Sequence, residues 1–299
     1  MFDGCPLIAL IRGNSISLRP MRITSWNLLH GMGVPPTKGQ LPPGLGETAA
    51  KLARASMSEL FAFQEVDHFL PRTDMCDQTH EIAQAIGAKD WAFAPSVIGT
   101  PGESWKRLSK QDPEIIAHSF SNLGSYGVSI VSKIPVIEWR RLNLGNSPIG
   151  MPLLIPKEGS DSPGVRPIYI RDEPRLALAA ILSNGFIVIN THLSFVPGFN
   201  VSQLSKLKRW AIDLEGEFKS TAIIVGDLNL PKNLPVLNSS WESLVQMKTY
   251  PSWKPSIQFD YLLAQKSSML KVKDISAQSL SGGSLGISDH LPISVEINT

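Results

Sequence analysis

The sequence predicts an α/β fold in which two β-sheets pack face to face with helices outside them. Three observations carry that prediction. Short apolar or alternating runs recur along the chain, punctuated by Gly, Pro and Asn. Helical periodicity is confined to a few stretches. Triplets such as Ile223-Ile224-Val225 leave no face wet, so the central strands must be covered on both sides.

The expected strands follow in order. RITSWN (22–27) is the first, and ELFAFQEV (59–66) the second. YGVSIVSKIPVIEW (126–139) reads as further strand. RLALAAIL (175–182) and FIVINTHL (186–193) are separated by Ser183-Asn184-Gly185, the signature of a hairpin. AIIVGDLN (222–229), QFDYLLA (258–264) and LPISVEI (291–297) complete the set. Between 201 and 218 the apolar positions Val201, Leu204, Leu207, Ala211, Leu214 and Phe218 keep helical spacing, and Asn200 with Gln203 resembles a capping box. Helices are also expected over 47–60 and 78–86. The Pro- and Gly-rich segments 33–46, 100–125 and 146–174 are expected to be loops, of a length that usually lines a site.

No repeat and no low-complexity linker divides the chain, so residues 21–299 are expected to form a single domain. Residues 1–20 precede the first strand and are expected to be an extension outside it. Hydrophobic residues make up 42% of the chain and charged residues 18%, the balance of a globular protein and not of a disordered one. A net charge of +2 excludes heavy reliance on a basic surface. Cys5 and Cys76 match no metal or redox spacing, so neither a disulfide framework nor a zinc knuckle is expected. No run approaches the ~20 apolar residues of a membrane span, and CPLIALI (5–11) lacks the flanks of an export signal. The expectation is therefore a cytoplasmic monomer with no membrane span.

The chemistry lies where strands end. TAIIVGDLNLP (221–231) finishes a buried strand on Asp227 and Asn229, whose spacing puts both side chains on one side of an extended backbone. An ordinary turn would use the same residues. Other strands do likewise: Asn27 closes RITSWN, Glu65 closes FAFQE, His192 closes VINTH, Asp260 lies in QFDYLL, and Asp289-His290 precede the last strand. Carboxylates carried onto apolar strands without partners cost several kcal/mol. A cation would relieve that cost. Oxygen donors without cysteine favour a hard divalent ion, Mg²⁺ or Mn²⁺, over zinc. A hard ion combined with histidines matches phosphoester hydrolysis, in which a carboxylate orients water and an imidazole donates to the phosphoryl group.

With these motifs in this order, the chain resembles the endonuclease/exonuclease/phosphatase superfamily, which includes deoxyribonucleases, abasic-site endonucleases, sphingomyelinases and inositol polyphosphate phosphatases. The likeness spans 21–299 and is greatest to bacterial members of little functional definition, similar also at RDEPR, THLSF and GDLNLP. It implies a four-layer α/β/β/α sandwich of two mixed, mainly antiparallel sheets, as in deoxyribonucleases, with the site at one edge of the sheets. It implies that Glu65 is the principal metal ligand, with Asn27 beside it and Asp289 approaching the ion. Asp227 would align the attacking water, and Asn229 would hold that water or a phosphate oxygen. His290 would bind phosphate or act as base, His192 would donate in the transition state, and Asp260 would pair with one of the two histidines. Arg175 and Tyr126 fall where the family often has substrate-side residues. Asp67 and His68 read as solvated loop residues, and His30, His80 and His118 have no motif support.

On substrate the resemblance says little. The expected activity is Mg²⁺- or Mn²⁺-dependent phosphoester hydrolysis, with a nuclease-like phosphodiesterase placed ahead of a monoesterase acting on an inositol, lipid or other small phosphate. A catalytically inactive binding module is the third reading. Trp105, Lys106, Arg107, Lys110 and Phe120 are the features that suit nucleic acid as a partner, and no long exposed apolar hairpin is expected.

Overall fold

The computed structural model of the chain describes residues 20–34, 42–118, 121–156, 165–279 and 285–298. Most of the expected extension, and Phe120, lie outside the described residues. In chain order the strands are β1 (Met21–Asn27), β2 (Leu60–His68), β3 (Asp90–Gly99), β4 (Trp105–Lys106), β5 (Ile116–Ala117), β6 (Ser125–Ser132), β7 (Val136–Gly145) and β8 (Met151–Pro156). They continue with β9 (Val165–Ile170), β10 (Arg175–Leu182), β11 (Phe186–His192), β12 (Thr221–Asp227), β13 (Trp241–Ser243), β14 (Asp260–Gln265), β15 (Lys271–Asp274) and β16 (Ile293–Asn298). The helices are α1 (Leu45–Ser56), α2 (Gln78–Ile86), α3 (Phe199–Phe218) and the single turn α4 (Ser276–Ser279).

One sheet runs β15-β16-β1-β2-β6-β3-β4, with β5 also on β3; the other runs β13-β14-β12-β11-β10-β7. Both are mixed, with β1–β2 and β11–β12 the parallel pairs. Alternation explains the layering. On β2, Leu60 and Ala62 face the second sheet while Phe61 and Phe63 face outward to Leu52 of α1 and Ile82 of α2. On β12, Ile223 and Val225 face the first sheet while Ala222 and Ile224 meet Leu207 and Leu214 of α3. The result is the α/β/β/α sandwich, with its main core between the sheets. No helix among the described residues is long and apolar enough to cross a membrane.

Several expectations need correction. β3 carries Pro95 and Ser96 at its centre, residues that argue against an interior strand, and it is accommodated by a register break between Pro95 and Val97. Segment 146–174 is not a plain loop, because β8 and β9 pair as an antiparallel ribbon. Segment 100–125 holds β4 and β5. Helix α1 stops at Ser56, where Met57 turns left-handed (φ 51°). The capping box does not form: α3 begins at Phe199, and Gln203 Oε1 instead accepts from Ser194 N at 2.8 Å. Asp67 and His68 are buried within β2, not solvated.

Candidate active site

Strand parity delivers the polar side chains. Ile23, Val188, Val225 and Leu262 all point into the inter-sheet core. Stepping two residues at a time toward one end of each strand reaches Ser25 and Asn27, Asn190 and His192, Asp227, and Asp260. The alternation that builds the core thus carries these side chains into the same cleft once the apolar residues run out. Register aligns three of them side by side, with His192 opposite Asp227 and Asp227 opposite Asp260. Beneath them Gln64 Nε2 donates to Asn190 Oδ1 at 2.6 Å and to Ser25 Oγ at 3.1 Å, a polar floor joining the two sheets.

Glu65 needs a different device. The β2–β6 register breaks between Phe63 and Val66, and Glu65 itself is left-handed (φ 55°). This bulge turns the carboxylate to Asn27, whose Nδ2 donates to Glu65 Oε1 at 3.0 Å and to Asp227 Oδ2 at 3.1 Å. The amide is oriented from behind by Leu29 N, which donates to Asn27 Oδ1 at 3.0 Å. Gly226 is required by its neighbour: at φ 132° a Cβ there would lie 1.9 Å from the Thr191 carbonyl oxygen.

Asp227 and Asn229 do not share an extended strand. The chain turns after Asp227, Asn229 is left-handed (φ 48°), and its N–H donates to Asp227 Oδ1 at 2.9 Å. Both nevertheless meet His192, whose Nε2 stands 3.2 Å from Asn229 Nδ2 and 3.6 Å from Asp227 Oδ2. The Ser288-Asp289-His290 turn is fastened to β1: Ser288 Oγ donates to the Asn27 carbonyl at 2.6 Å, and Trp26 Nε1 donates to the His290 carbonyl at 2.9 Å. His290 Nδ1 lies 2.8 Å from Asp260 Oδ2, and its Nε2 lies 3.6 Å from Asp227 Oδ2. The histidine that Asp260 orients is therefore His290. Thr249 Oγ1 also donates to Asp260 Oδ2.

The two histidines are held in opposite states. Burial works against charge on His290, yet Asp260, Asp227 and Asp289 hold its imidazolium well above the ordinary range. Burial, followed by Arg175 and His290, pushes His192 well below that range, so it is neutral. The carboxylates are crowded. Burial raises Glu65, and raises Asp227 and Asp289 to about 6 each, with neighbouring carboxylates adding to every shift. Tyr126, buried on β6, is held as a phenol by burial and by Glu65 and Glu173. Arg175 is buried at the start of β10, with its Nη2 2.8 Å from Glu173 Oε1 and 3.4 Å from Asp172 Oδ1.

Among the described residues, Asp227, Asp260 and His290 each place a potential ligand atom within 4.8 Å of the others. That trio is not the expected set of Asn27, Glu65 and Asp289, and two of its members are already bonded to each other. Glu65 and Asp289 fall outside that trio; with Asp227 acting on Glu65 and Glu65 on Asp289, their carboxylate oxygens are donors of the kind a hard divalent cation takes. The sequence reading missed Tyr250, whose ring lies 5.0 Å from that of His290 and whose hydroxyl is raised to about 12 by burial and then by Asp289, Asp227 and Glu65. It also missed Glu173, although RDEPR, in which it stands, was singled out.

The sequence pattern of the endonuclease/exonuclease/phosphatase family matches residues 24–290. The chain belongs to this family. The family is one of phosphoester hydrolases, and the sandwich and strand-end cluster described above agree with it. A family protein from Bacteroides vulgatus is 14% identical with a TM-score of 0.60, covering 94% of this chain and 99% of its own. The mannosyl-6-phosphatase of Bacteroides thetaiotaomicron is 13% identical (TM-score 0.56; 93% and 100% covered). TDP2 of D. rerio, in complex with a single-stranded DNA product, is 12% identical (TM-score 0.50; 94% and 99% covered). At these identities the likeness is one of fold. A search of curated proteins returned no match.

Proposed function

We propose that the protein is a Mg²⁺- or Mn²⁺-dependent phosphoester hydrolase that prefers phosphodiesters. The observation that carries this reading is the placement of His290, its Nδ1 2.8 Å from Asp260 Oδ2 and its Nε2 facing Asp227 Oδ2 across 3.6 Å. Glu65, Asp289 and Asn27 would hold the divalent ion, which supplies positive charge to offset that of the phosphate.

The chain's own residues divide the remaining work. His290 begins as the charged donor, hydrogen-bonding a phosphoryl oxygen or the leaving group. Asp227, between two imidazoles, orients the attacking water and takes its proton. Neutral His192 and Asn229 hydrogen-bond the phosphoryl oxygens as charge develops on them. Tyr126, Arg175 and Tyr250 border the substrate. The diester preference rests on Trp105 of β4, whose ring suits the second ester group of a substrate extending past the reacting phosphate.

Hydrolysis of bis-p-nitrophenyl phosphate and p-nitrophenyl phosphate, with Mg²⁺ or Mn²⁺ and then with chelator, tests the reading. Faster turnover of the diester, lost in chelator, is expected. Preference for the monoester replaces the diester assignment, and metal-bound protein silent on both is the result expected of an inactive binding module.

A further inference from the structure

A cavity of about 320 Å³ opens between the rims of the two sheets, lined by Ser96 of β3, Arg107 and Lys110 of the β4–β5 segment, Arg141 and Asn143 of β7, and Arg175 at the start of β10. We propose that this cavity is a second anion site, and that the substrate carries a further phosphate, or an equivalent dianion, besides the one that reacts. The inference rests on the hydrolase reading above and narrows its substrate class.

Three separate segments bring cations to one concave space. Among the described residues no carboxylate lies within 4.0 Å of the charged groups of Arg107, Lys110 or Arg141, although Glu114 lines the cavity. Arg140, next along β7, is by contrast paired with both Glu138 and Glu217. Arg107 and Arg141 are held in place by neutral acceptors. Arg107 Nη2 donates to Asn146 Oδ1, while Arg141 donates to Asn143 Oδ1 and to the Glu114 carbonyl. Their positions are thus set without a direct ion pair, and fork-shaped donors in this state match a phosphate.

Arg141 is half-buried; burial lowers its pKa while Glu114 acts to raise it, and a bound anion would relieve the remaining cost. Arg175 forms the shared wall. It borders this cavity and also acts electrostatically on His192, so the second site adjoins the reacting one. The volume lies at the lower end of the ~300–1,000 Å³ typical of ligand pockets, enough for a phosphate with part of the group that bears it. A nucleotide chain and a small bisphosphate offer the same chemistry here.

The test uses matched probes with and without the second phosphate: pTpT against TpT, and adenosine 3′,5′-bisphosphate against adenosine 5′-phosphate. In the native protein with Mn²⁺, the second phosphate should lower KM about tenfold or more in at least one pair. That advantage should vanish in R107A/R141A and be partly kept in R141K, while turnover of bis-p-nitrophenyl phosphate changes less than about twofold, because neither arginine touches the reacting phosphate. An advantage confined to pTpT assigns a polynucleotide, and one confined to the bisphosphate assigns a small molecule. No advantage in either pair, or one that survives R107A/R141A, overturns the proposal. Calorimetric titration of pyrophosphate in chelator supplies a readout independent of hydrolysis. Binding should weaken about tenfold in R107A/R141A and persist in H290A, and unchanged binding in R107A/R141A rejects the site. Lost binding with no hydrolysis of any probe would retain the anion site and reject the hydrolase reading instead.

Discussion

Glu65 and Asp67 stand two residues apart on β2, and the fold treats them in opposite ways. Asp67 is fully buried and neutralised: Arg72 donates to both of its oxygens at 2.7 Å, and Gln78 Oε1 accepts its N–H. Glu65 is reached by one amide hydrogen bond, and burial, then Asp227 and Glu173, push its pKa up, with His290 as the opposing charge. A buried charge with a dedicated partner holds the structure together. A crowd of like charges destabilises the metal-free fold and signals that something else is meant to complete it.

The largest test of this contrast removes the cation of the crowded group. His290→Ala should lower kcat about a thousandfold, the range of general acid–base catalysis, while urea unfolding stays cooperative; near-native turnover would remove His290 from the mechanism. Next is Arg72→Ala, which strands the Asp67 charge and should cost about 3 kcal/mol in urea unfolding. A loss below about 1 kcal/mol would mean that Asp67 is not held by that pair. Glu65→Gln should act in the opposite direction, raising the stability of chelator-treated protein by about 1 kcal/mol. It should also abolish the shift that Mn²⁺ produces in native protein, about 2.7 kcal/mol at a hundred times Kd. Destabilisation by Glu65→Gln would show Glu65 and Asp67 to be alike.

At neutral pH the smallest effect is that of His30, which acts only in acid. Burial, and then Arg72, lowers its pKa to about 3, so the folded protein refuses a proton that the unfolded chain takes up near the ordinary histidine value. Its contribution is intact above pH ~6.5 and declines as pH falls toward 3. His30→Asn should therefore flatten the fall in Tm across that window relative to native protein, and parallel curves would show that His30 titrates normally.

Much of the site was legible because strand parity is local. Once a run alternates around a core, residues two or four steps past its last apolar position must face the same side, and Asn27, His192, Asp227 and Asp260 are such residues. β3 was hidden because Pro95 breaks the pattern by which strands are recognised. Asp67 and His68 were misread because they follow Glu65 in a stretch of polar residues; Arg72 reaches Asp67 from beyond a turn, and Ser121 meets His68 only in space. Arg107 and Lys110 stood out in the sequence, but Arg141 did not, since nothing local says that a loop and an edge strand face one cavity.

By itself, the sequence determined which chemical groups arrive at the strand ends, and in what order, because side-chain direction follows from backbone period and hydrophobic burial. The tertiary structure alone decided their ionic state. Asp260 chooses His290 across 30 residues of chain, His192 is left neutral, and Asp67 is cancelled while Glu65 is not. Electrostatic energy depends on distance and on exclusion of water, and both exist only after the two sheets have closed on each other.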